Sequence, residues 1–177
     1  GFVISYGCRN GACGTCKGKV LAGAVDYGEY QSAALSDAEK GRGYALFCRA
    51  KPLGDVVVEC REVGAGKDIR IRTLPARVQA LRKLAHDIML VELKLPASER
   101  LQFLAGQYID ILLKDGSRRS FSMANAPHDD AVLQLHMRNY GGPFSTHVFS
   151  AMKERDILRF EGPLGTFYLR EIGRAHV

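Results

Sequence analysis

The sequence predicts a protein of two domains, a small α+β unit followed by an all-β, six-stranded antiparallel barrel with one helix. Three observations lead to this prediction. Residues 1–60 contain strand patterns, one short helix signal and all five cysteines. Residues 63–68 are glycine-rich and polar, as is typical of a connection. From Thr73 onward, six short apolar runs are separated by turns, which favours a closed antiparallel sheet.

The domain boundaries follow from these patterns. We expect the first domain to span residues 1–66, the linker 67–72 and the barrel 73–171. Because residues 1–6 lead directly into the first cysteine, we expect the first domain to lack strands at its N-terminus. The tail at 172–177 resembles translated sequencing-adapter DNA, so we expect it to be non-native.

In the first domain, local signals place each element in turn. We expect a strand and turn at 17–25, a helix after the capping box Ser36-Asp-Ala-Glu39, and strands at 44–48 and 55–62. The helix should end at Gly41 or Gly43. These elements form a compact unit of about 60 residues, within the size range of small independent domains.

In the second domain, the expected strands are residues 76–84, 88–95, 107–114, 118–123, 131–138 and 156–161. Residues 131–138 alternate most regularly between apolar and polar side chains, which predicts one buried and one exposed face. One helix is expected from about Phe144 to Lys153, with Ser145 or Thr146 as its cap.

Composition excludes several classes of function. The apolar fraction of 46% is ordinary, and no apolar run approaches the roughly 20 residues that cross a bilayer. The N-terminus carries no secretory signal pattern, so we expect a cytoplasmic protein with no membrane partner. The net charge of +6 is spread among acidic residues without a dense basic run, which argues against nucleic-acid binding.

The cysteine spacing is the strongest chemical signal. Cys8, Cys13 and Cys16 follow one another at intervals of four and two residues, and Cys48 follows after a long gap, the plant-type [2Fe–2S] ligand pattern. Glycines between them allow the backbone to approach a small cluster. A zinc site or a disulfide framework remains an alternative, although zinc usually takes paired knuckles and five cysteines is an odd number. We interpret Cys60 as a packed thiol.

Two further segments suit a nucleotide-like ligand. In residues 118–125, Arg119, Phe121 and Met123 share one strand face, where a guanidinium can bind phosphate and a ring can cover a flat ligand. In residues 141–146, a Gly-Gly turn leads into a helix N-terminus, which favours an anion. Downstream of a cluster loop, the two segments together predict a flavin dinucleotide.

The chain resembles the reductases that join a plant-type ferredoxin to a ferredoxin-reductase-like FAD and NAD(P)H module. The resemblance extends to about Arg170 and is most specific in four stretches. They are Tyr6-Gly-Cys-Arg-Asn-Gly-Ala-Cys-Gly-Thr-Cys-Lys-Gly, Leu101-Gln-Phe-Leu-Ala-Gly-Gln-Tyr-Ile-Asp, Arg119-Ser-Phe-Ser-Met-Ala-Asn-Ala-Pro and Phe160-Glu-Gly-Pro-Leu-Gly-Thr-Phe. It implies a β-grasp ferredoxin fold followed by a Greek-key FAD-binding barrel.

The resemblance also implies roles for individual residues. Cys8, Cys13, Cys16 and Cys48 would bind the iron–sulfur cluster. Arg119 would hold the FAD pyrophosphate, Phe121 would lie against the flavin, and Ser122 would approach the flavin N5 as the catalytic group. The remaining cofactor-binding positions would be His136, Met137, Arg138, Gly141, Gly142, Phe144 and Ser145.

Two departures from the family pattern affect these roles. Phe121 replaces the usual tyrosine, so stacking is retained and the phenolic hydrogen bond is lost. Arg138 lies one residue closer to the Gly-Gly turn than is common in the family, which changes the contacts expected of its guanidinium.

The implied function is electron transfer from NAD(P)H through FAD to the [2Fe–2S] cluster and on to an acceptor protein. Within the family the resemblance favours reductases whose acceptor is a CDP-6-deoxy-sugar dehydrase. The family continues into a nicotinamide-binding domain, so we expect that residues 1–177 alone are reduced inefficiently by NAD(P)H. Two alternatives are the reductase of an aromatic-ring or alkane oxygenase, and a zinc-stabilised binding module without enzymatic activity.

Overall fold

The computed structural model describes residues 4–60 and 69–168. Contacts divide these residues into two compact units. Unit 1 contains residues 4–60 together with Gly165–Phe167, and unit 2 contains Ile69–Leu164 and Tyr168. Within these ranges, no helix has the length and apolar character that crossing a bilayer requires.

Unit 1 is an α+β structure built on a small antiparallel sheet. Its elements are β1 Lys17–Ala22, β2 Val25–Asp26, α1 Asp37–Gly41, β3 Tyr44–Leu46, β4 Lys51–Pro52 and β5 Val57–Glu59. The order in the sheet is β3-β1-β5, and β2 pairs separately with β4. The core contains Cys16, Ala34, Leu35 and Leu46, with Tyr6, Tyr27, Tyr30, Tyr44 and Cys48 packed against it.

The predicted capping box at the start of α1 is confirmed. The Ser36 hydroxyl accepts a hydrogen bond from the Glu39 N–H, and the Glu39 carboxylate accepts one from the Ser36 N–H. Lys17 donates to the same carboxylate at 2.7 Å, which ties β1 to α1. These bonds, that of Lys17 foremost and then those of Ser36, lower the pKa of Glu39 to about 2.

The last strand of unit 1 begins later than predicted. Within the described part of the predicted segment, residues 55–60, strand geometry is found at Val57–Glu59, and β5 is an edge strand that pairs with β1 and shifts register between Val20 and Ala22. Cys60 follows the strand as a free, half-buried thiol. The end of the predicted strand, the glycine-rich connection at 63–68 and the tail at 172–177 lie outside the described residues.

Unit 2 is an antiparallel six-stranded barrel, as predicted. Its strands are β6 Arg72–Ala85, β7 Ile88–Lys94, β8 Tyr108–Leu112, β9 Arg118–Ser122, β10 Leu133–Arg138 and β11 Ile157–Leu164. The order in the sheet is β10-β7-β6-β11-β8-β9. An isolated bridge between Met123 and Leu135 connects the two end strands and closes the sheet.

The core of unit 2 follows the strand alternation that the sequence predicts. On β10, Leu133, Leu135 and Met137 are buried, whereas His136 and Arg138 are exposed. Comparable apolar positions on β6, β7, β8 and β11 fill the barrel interior. The exposed faces of the strands are therefore available for ligand-binding side chains.

The boundaries of β6 and β10 differ from the prediction. Strand β6 begins at Arg72, inside the predicted linker, because Arg72 already pairs with Gly162 on β11. Strand β10 begins at Leu133 because the buried Asn125 side chain donates to the carbonyl oxygens of Asp129 and Val132 and holds this segment as a loop.

The predicted cap of the second helix is wrong. Helix α2 spans Pro143–Ser150, its N-cap is Gly142, and no side chain caps it. The Ser145 hydroxyl instead bonds with the Asn139 side chain and the Gly142 carbonyl. With Pro143 at the first helical position, the missing N–H falls where a helix has no internal acceptor for it.

Gly18 on β1 provides a test of packing in unit 1. A Cβ at this position would lie 2.3 Å from the Phe47 ring and 2.7 Å from the Glu59 carbonyl oxygen. We expect Gly18→Ala to destabilise unit 1 by about 1–3 kcal/mol, since the strands must separate to admit the methyl group. Amide hydrogen exchange of β1 and β3 measures this change.

Gly54 is a matched control, because a Cβ there meets nothing within 4 Å. Gly54→Ala should leave the exchange rates of β1 and β3 unchanged. Equal rates in the two variants would contradict the packing described for Gly18.

Candidate functional site

The cysteine loop of unit 1 directs backbone donors at its own sulfur atoms. The Ala12 and Cys13 N–H groups donate to Cys8 Sγ at 3.4 and 3.3 Å, and the Cys8 N–H donates to Cys13 Sγ at 3.4 Å. The backbone can turn this tightly because Arg9, Gly11 and Gly14 adopt positive φ angles. The loop thus stabilises negative charge on sulfur before any ligand binds.

Two glycines of this loop are required by close approach. A Cβ at Gly7 would lie 3.1 Å from Cys13 Sγ. At Gly11, which has φ +79°, a Cβ would lie 3.0 Å from the Glu29 carbonyl oxygen and from Tyr30. These contacts explain why small residues separate the predicted ligands.

The four predicted cysteines fall into two pairs. The Cys8 and Cys13 thiols interact with each other, as do those of Cys16 and Cys48, and a weaker electrostatic interaction also links Cys16 with Cys13. Partial burial opposes ionisation of Cys13, but its hydrogen bonds with Cys8 and Thr15 prevail and lower its pKa to about 7. Burial, reinforced by the Cys48 thiol, raises the pKa of Cys16 to about 11. Two thiolates for each of two iron atoms is the donor set of a [2Fe–2S] cluster.

The two pairs differ in their access to solvent. Cys8 and Cys13 are exposed, whereas Cys16 is only 5% exposed and Cys48 is half-buried. In the described parts of the chain, no three His, Cys, Asp or Glu side chains are grouped as they would be around a single metal ion. The exposed pair therefore marks the side of the loop that faces solvent.

A cleft on unit 2 contains most of the predicted flavin-binding residues. It has a volume of about 610 Å³, which is in the usual range for ligand pockets. Strands β9 and β10 and the start of α2 form its walls. The lining residues are Arg119, Ser120, Phe121, Ser122, Met123, Ala124, His136, Arg138, Tyr140, Gly142, Pro143, Phe144 and Ser145.

The cleft is basic, and its two arginines have different surroundings. Arg138 donates to Asp87 at 2.6 Å, and this bond holds the pKa of Asp87 below its usual range. Arg119 donates to the Arg118 carbonyl oxygen at 2.8 Å. Arg118, by contrast, pairs with Glu161 at 3.0 Å and approaches the buried Asp110. Arg118 therefore supports the sheet, and Arg119 and Arg138 face the cleft.

Two aromatic rings form one side of the cleft. The centroids of Phe121 and Phe144 lie 6.0 Å apart, with an angle of 47° between the ring planes. Phe144 is buried at the start of α2, so it supports the half-buried Phe121 ring from behind. An aromatic pair in this geometry presents a surface suited to a flat ring system.

Two predicted residues do not line this cleft. The Met137 side chain is fully buried in the barrel core, because it lies on the opposite face of β10 from His136 and Arg138. Gly141 lies in the turn beyond β10 with φ +79°. A cofactor in the cleft would therefore meet His136 and Arg138 of β10 by their side chains, but not Met137.

Sequence reasoning missed Asn139, which shapes the turn between β10 and α2. Its side-chain oxygen accepts hydrogen bonds from the Gly141 N–H at 2.9 Å and from the Ser145 hydroxyl at 3.1 Å. The Asn139 N–H in turn donates to the Asp87 carbonyl oxygen. An asparagine whose side chain bonds the backbone two residues later, here at Gly141, is a known turn signal that could have identified it.

A larger cleft of about 780 Å³ lies between α2 and β11. Of the predicted flavin residues, only Phe144 contributes to it. Because its two basic side chains, Lys114 and Arg159, are accompanied by Asp156, it lacks the purely basic character of the first cleft. We therefore place the candidate ligand site in the cleft around Arg119 and Arg138.

Comparison with protein families identifies two domains in this chain. Residues 75–168 match the oxidoreductase FAD-binding domain, and residues 1–53 match the 2Fe-2S iron-sulfur cluster binding domain. This chain belongs to the ferredoxin-linked FAD-binding oxidoreductases. Its cofactors are FAD and a [2Fe–2S] cluster. The match at residues 1–53 favours the iron–sulfur interpretation of the cysteine loop over zinc.

Two curated relatives are similar to this chain over most of its length. The CDP-6-deoxy-L-threo-D-glycero-4-hexulose-3-dehydrase reductase of Yersinia pestis is 36% identical over 95% of this chain and 50% of its own length. The aromatic O-demethylase reductase subunit of an Amycolatopsis species is 38% identical over 96% of this chain and 51% of its own length. The chain thus spans about half the length of the curated relatives it matches.

Solved structures show the same architecture. The Amycolatopsis cytochrome P450 reductase GcoB superposes with a TM-score of 0.77 at 36% identity, covering 97% of this chain and 52% of that protein. The ferredoxin reductase of carbazole 1,9a-dioxygenase superposes with a TM-score of 0.67 at 29% identity, with 97% and 52% coverage. The likeness includes both units of the chain.

The cysteine pairs yield a direct prediction. We expect Cys48→Ser to abolish the [2Fe–2S] absorbance and lower bound iron and sulfide, because it removes one thiolate from the Cys16 pair. Bound FAD should remain, since unit 2 is not altered. Iron, sulfide and FAD analyses of the reconstituted chain measure these changes.

Cys60→Ser is the matched control, because Cys60 is the one cysteine outside the two pairs. This variant should bind iron and sulfide as the unaltered chain does. Loss of the cluster in Cys60→Ser, or its retention in Cys48→Ser, would show that the ligand set is different.

The turn at Asn139 yields a second prediction. Asn139→Ala removes the acceptor for Gly141 and Ser145, so we expect FAD affinity to fall by roughly tenfold, the equivalent of one lost hydrogen bond of about 1.4 kcal/mol. Riboflavin, which has no phosphate, should bind with the same affinity to both chains. Fluorescence titration with each flavin measures the two effects.

Gln134→Ala is a control on the neighbouring strand, since the Gln134 side chain bonds with Glu92 and does not line the cleft. It should leave FAD affinity unchanged. If Asn139→Ala lowers the affinity for riboflavin as much as the affinity for FAD, Asn139 does not act at the phosphate end of the ligand.

Proposed function

We propose that this chain is the electron-transfer part of an NAD(P)H-dependent iron–sulfur flavoprotein reductase that serves a partner enzyme. The observation that carries the proposal is the arrangement of four thiols in two pairs, with backbone donors directed at the exposed pair. FAD accepts two electrons as a hydride and can release them singly, and a [2Fe–2S] cluster carries one electron. The protein binds and orients the two cofactors and supplies the charges and dipoles around them.

Cys8, Cys13, Cys16 and Cys48 are the cluster ligands in this proposal. The N–H groups of Ala12, Cys13 and Cys8 already donate to sulfur, and such bonds stabilise the negative charge of bound thiolates. Because Cys8 and Cys13 are exposed, electrons leave on their side of the loop.

The cleft of unit 2 holds FAD in this proposal. Arg119 and Arg138 bind phosphate oxygens, and the Gly142 turn and first N–H groups of α2 add favourable dipoles. The Phe121 ring packs against the flavin with support from Phe144. Ser122, exposed at the end of β9, offers its hydroxyl to the flavin N5 as the catalytic group.

Asp87 supports this assignment through Arg138. Its carboxylate holds the guanidinium at 2.6 Å, so the arginine is oriented before a ligand arrives. The Tyr140 ring lies 5.8 Å from the same guanidinium and narrows its range of positions further. In this chain, which has the shorter interval between Arg138 and the Gly-Gly turn, these two contacts fix the arginine at the edge of the cleft.

The proposed acceptor is a CDP-6-deoxy-sugar dehydrase. The 36% identity to the dehydrase reductase of Yersinia pestis supports this choice. An aromatic oxygenase component is the second candidate, supported by 38% identity to the aromatic O-demethylase reductase subunit of Amycolatopsis.

We propose a cytoplasmic location, with the acceptor protein as partner and neither a membrane nor nucleic acid involved. The proposed domain assignment is residues 1–66 for the cluster and 73–171 for FAD, although the contacts of Gly165–Phe167 group this short segment with unit 1.

Electron delivery to a one-electron protein acceptor tests the proposal. The chain reconstituted with FAD and cluster is reduced by light under anaerobic conditions, then mixed with cytochrome c or with ferricyanide. We expect Cys48→Ser to reduce cytochrome c at least tenfold more slowly, because the exit through the cysteine loop is lost. Ferricyanide, a small ion that reaches the flavin directly, should be reduced at the same rate.

Equal rates of cytochrome c reduction in the two chains would contradict the proposed role of the cysteine loop. The acceptor is then identified by replacing cytochrome c with a purified CDP-6-deoxy-sugar dehydrase or with an aromatic oxygenase component. Rapid transfer to the dehydrase and slow transfer to the oxygenase is the expected result. The reverse order would assign the chain to the second candidate.

A further inference from the structure

Unit 1 includes a short segment that follows the last barrel strand in sequence. Residues Gly165–Phe167 group with the cysteine-bearing residues by their contacts. Thr166, in the middle of this segment, is only 5% exposed. A buried threonine requires partners for its hydroxyl, and all of them lie 160 or 161 residues away in sequence.

The Thr166 hydroxyl binds both backbone groups of one residue. It donates to the Tyr6 carbonyl oxygen at 2.8 Å and accepts from the Tyr6 N–H at 2.7 Å. The Thr166 N–H donates to the same carbonyl oxygen at 3.1 Å. Since its single proton is used by Tyr6, the hydroxyl accepts the bond of 3.3 Å from the buried Ser5 hydroxyl.

Tyr6 is the point from which the cysteine loop begins. Gly7 follows it and packs so closely that a Cβ would lie 3.1 Å from Cys13 Sγ, and Cys8 is the next residue. The Tyr6 side chain packs against the core that contains Cys16, and Cys48 packs against the same core. Tyr6 thus connects Thr166 with Cys8 through its backbone and with the core that contains Cys16 through its ring.

We propose that Thr166 is a positioning residue of the iron–sulfur site, which it serves by holding the Tyr6 backbone. This inference rests on the proposed function, because it assumes that the four cysteines bind the cluster. The hydrogen bonds of Thr166 in the described part of the chain go to Ser5 and Tyr6, and none goes to a thiol. It fixes the start of the loop, and thereby the direction in which the Cys8 N–H and Cys8 Sγ point.

The hydrogen-bond inventory makes the proposal specific. Valine has nearly the shape of threonine but can make none of the three hydroxyl contacts, so Thr166→Val leaves the half-buried Tyr6 N–H without its acceptor. Serine retains all three contacts. The pair of variants therefore separates the hydroxyl from the volume of the side chain.

The test compares Thr166→Val with Thr166→Ser in the full chain reconstituted with FAD and cluster. Three quantities are measured: bound iron and sulfide, the EPR spectrum of the dithionite-reduced chain, and the rate of iron release to a chelator. We expect Thr166→Val to shift the EPR g-values and to release iron roughly tenfold faster. Thr166→Ser should match the unaltered chain, and the FAD content should be the same in all chains.

Thr73→Val is the matched control, because it makes the same chemical change at an exposed position of β6. It should leave the EPR spectrum and the release rate unchanged. If Thr166→Val fails to fold, Ser5→Ala removes one contact to the same hydroxyl and should accelerate release by about twofold to threefold, with a smaller shift of the g-values.

The outcomes separate this inference from the proposed function. An unaltered chain that takes up no cluster would contradict both. An unaltered chain with a cluster, together with Thr166→Val of identical EPR spectrum and release rate, would overturn the role of Thr166 alone. If Thr166→Val releases iron faster but its EPR g-values are unchanged, Thr166 has a purely structural role, and the proposed positioning role is also overturned.

Discussion

Closure of the six-stranded sheet is the constraint on which the candidate flavin site depends. The two strands that carry the ligand groups, β9 and β10, are the two ends of the sheet. They meet through the Met123–Leu135 bridge and the bond of 2.8 Å from the Ala124 N–H to the Gln134 carbonyl oxygen. Asn125 extends this junction by accepting from the Gln134 N–H. Without this junction, Arg119 on β9 and Arg138 on β10 would lie on opposite edges of an open sheet.

The cysteine loop depends on a different constraint, the close approach of backbone to sulfur. Its donors reach Cys8 and Cys13 only because residues such as Gly11 adopt left-handed geometry and Gly7 has no side chain. The result is a gradient of environment, because Cys8 and Cys13 are exposed to solvent, whereas Cys16 is buried and Cys48 is half-buried. A one-electron carrier benefits from both environments, since burial of some ligands protects the cluster and exposure of others allows an electron to leave.

Sequence signals predicted the parts that depend on local spacing. Cysteine intervals, the capping box at Ser36 and the alternation on β10 are each encoded within about ten residues. The features that were predicted wrongly or missed depend on backbone conformation or on contacts between residues distant in sequence. The local sequence makes Ser145 a reasonable helix cap. In the structure, however, the Ser145 hydroxyl bonds with Asn139 and Gly142, and the N-cap position is occupied by Gly142. No local pattern relates Thr166 to Tyr6, because they are 160 residues apart.

The central claim is that one chain carries a two-electron and a one-electron centre. An anaerobic titration with dithionite, followed by visible absorbance and EPR, tests it most directly. We predict that the reconstituted chain takes up three electrons, two with loss of flavin absorbance and one with appearance of an EPR signal, and that Cys48→Ser takes up two. Uptake of two electrons or fewer by the reconstituted chain, without an EPR signal, would contradict the account.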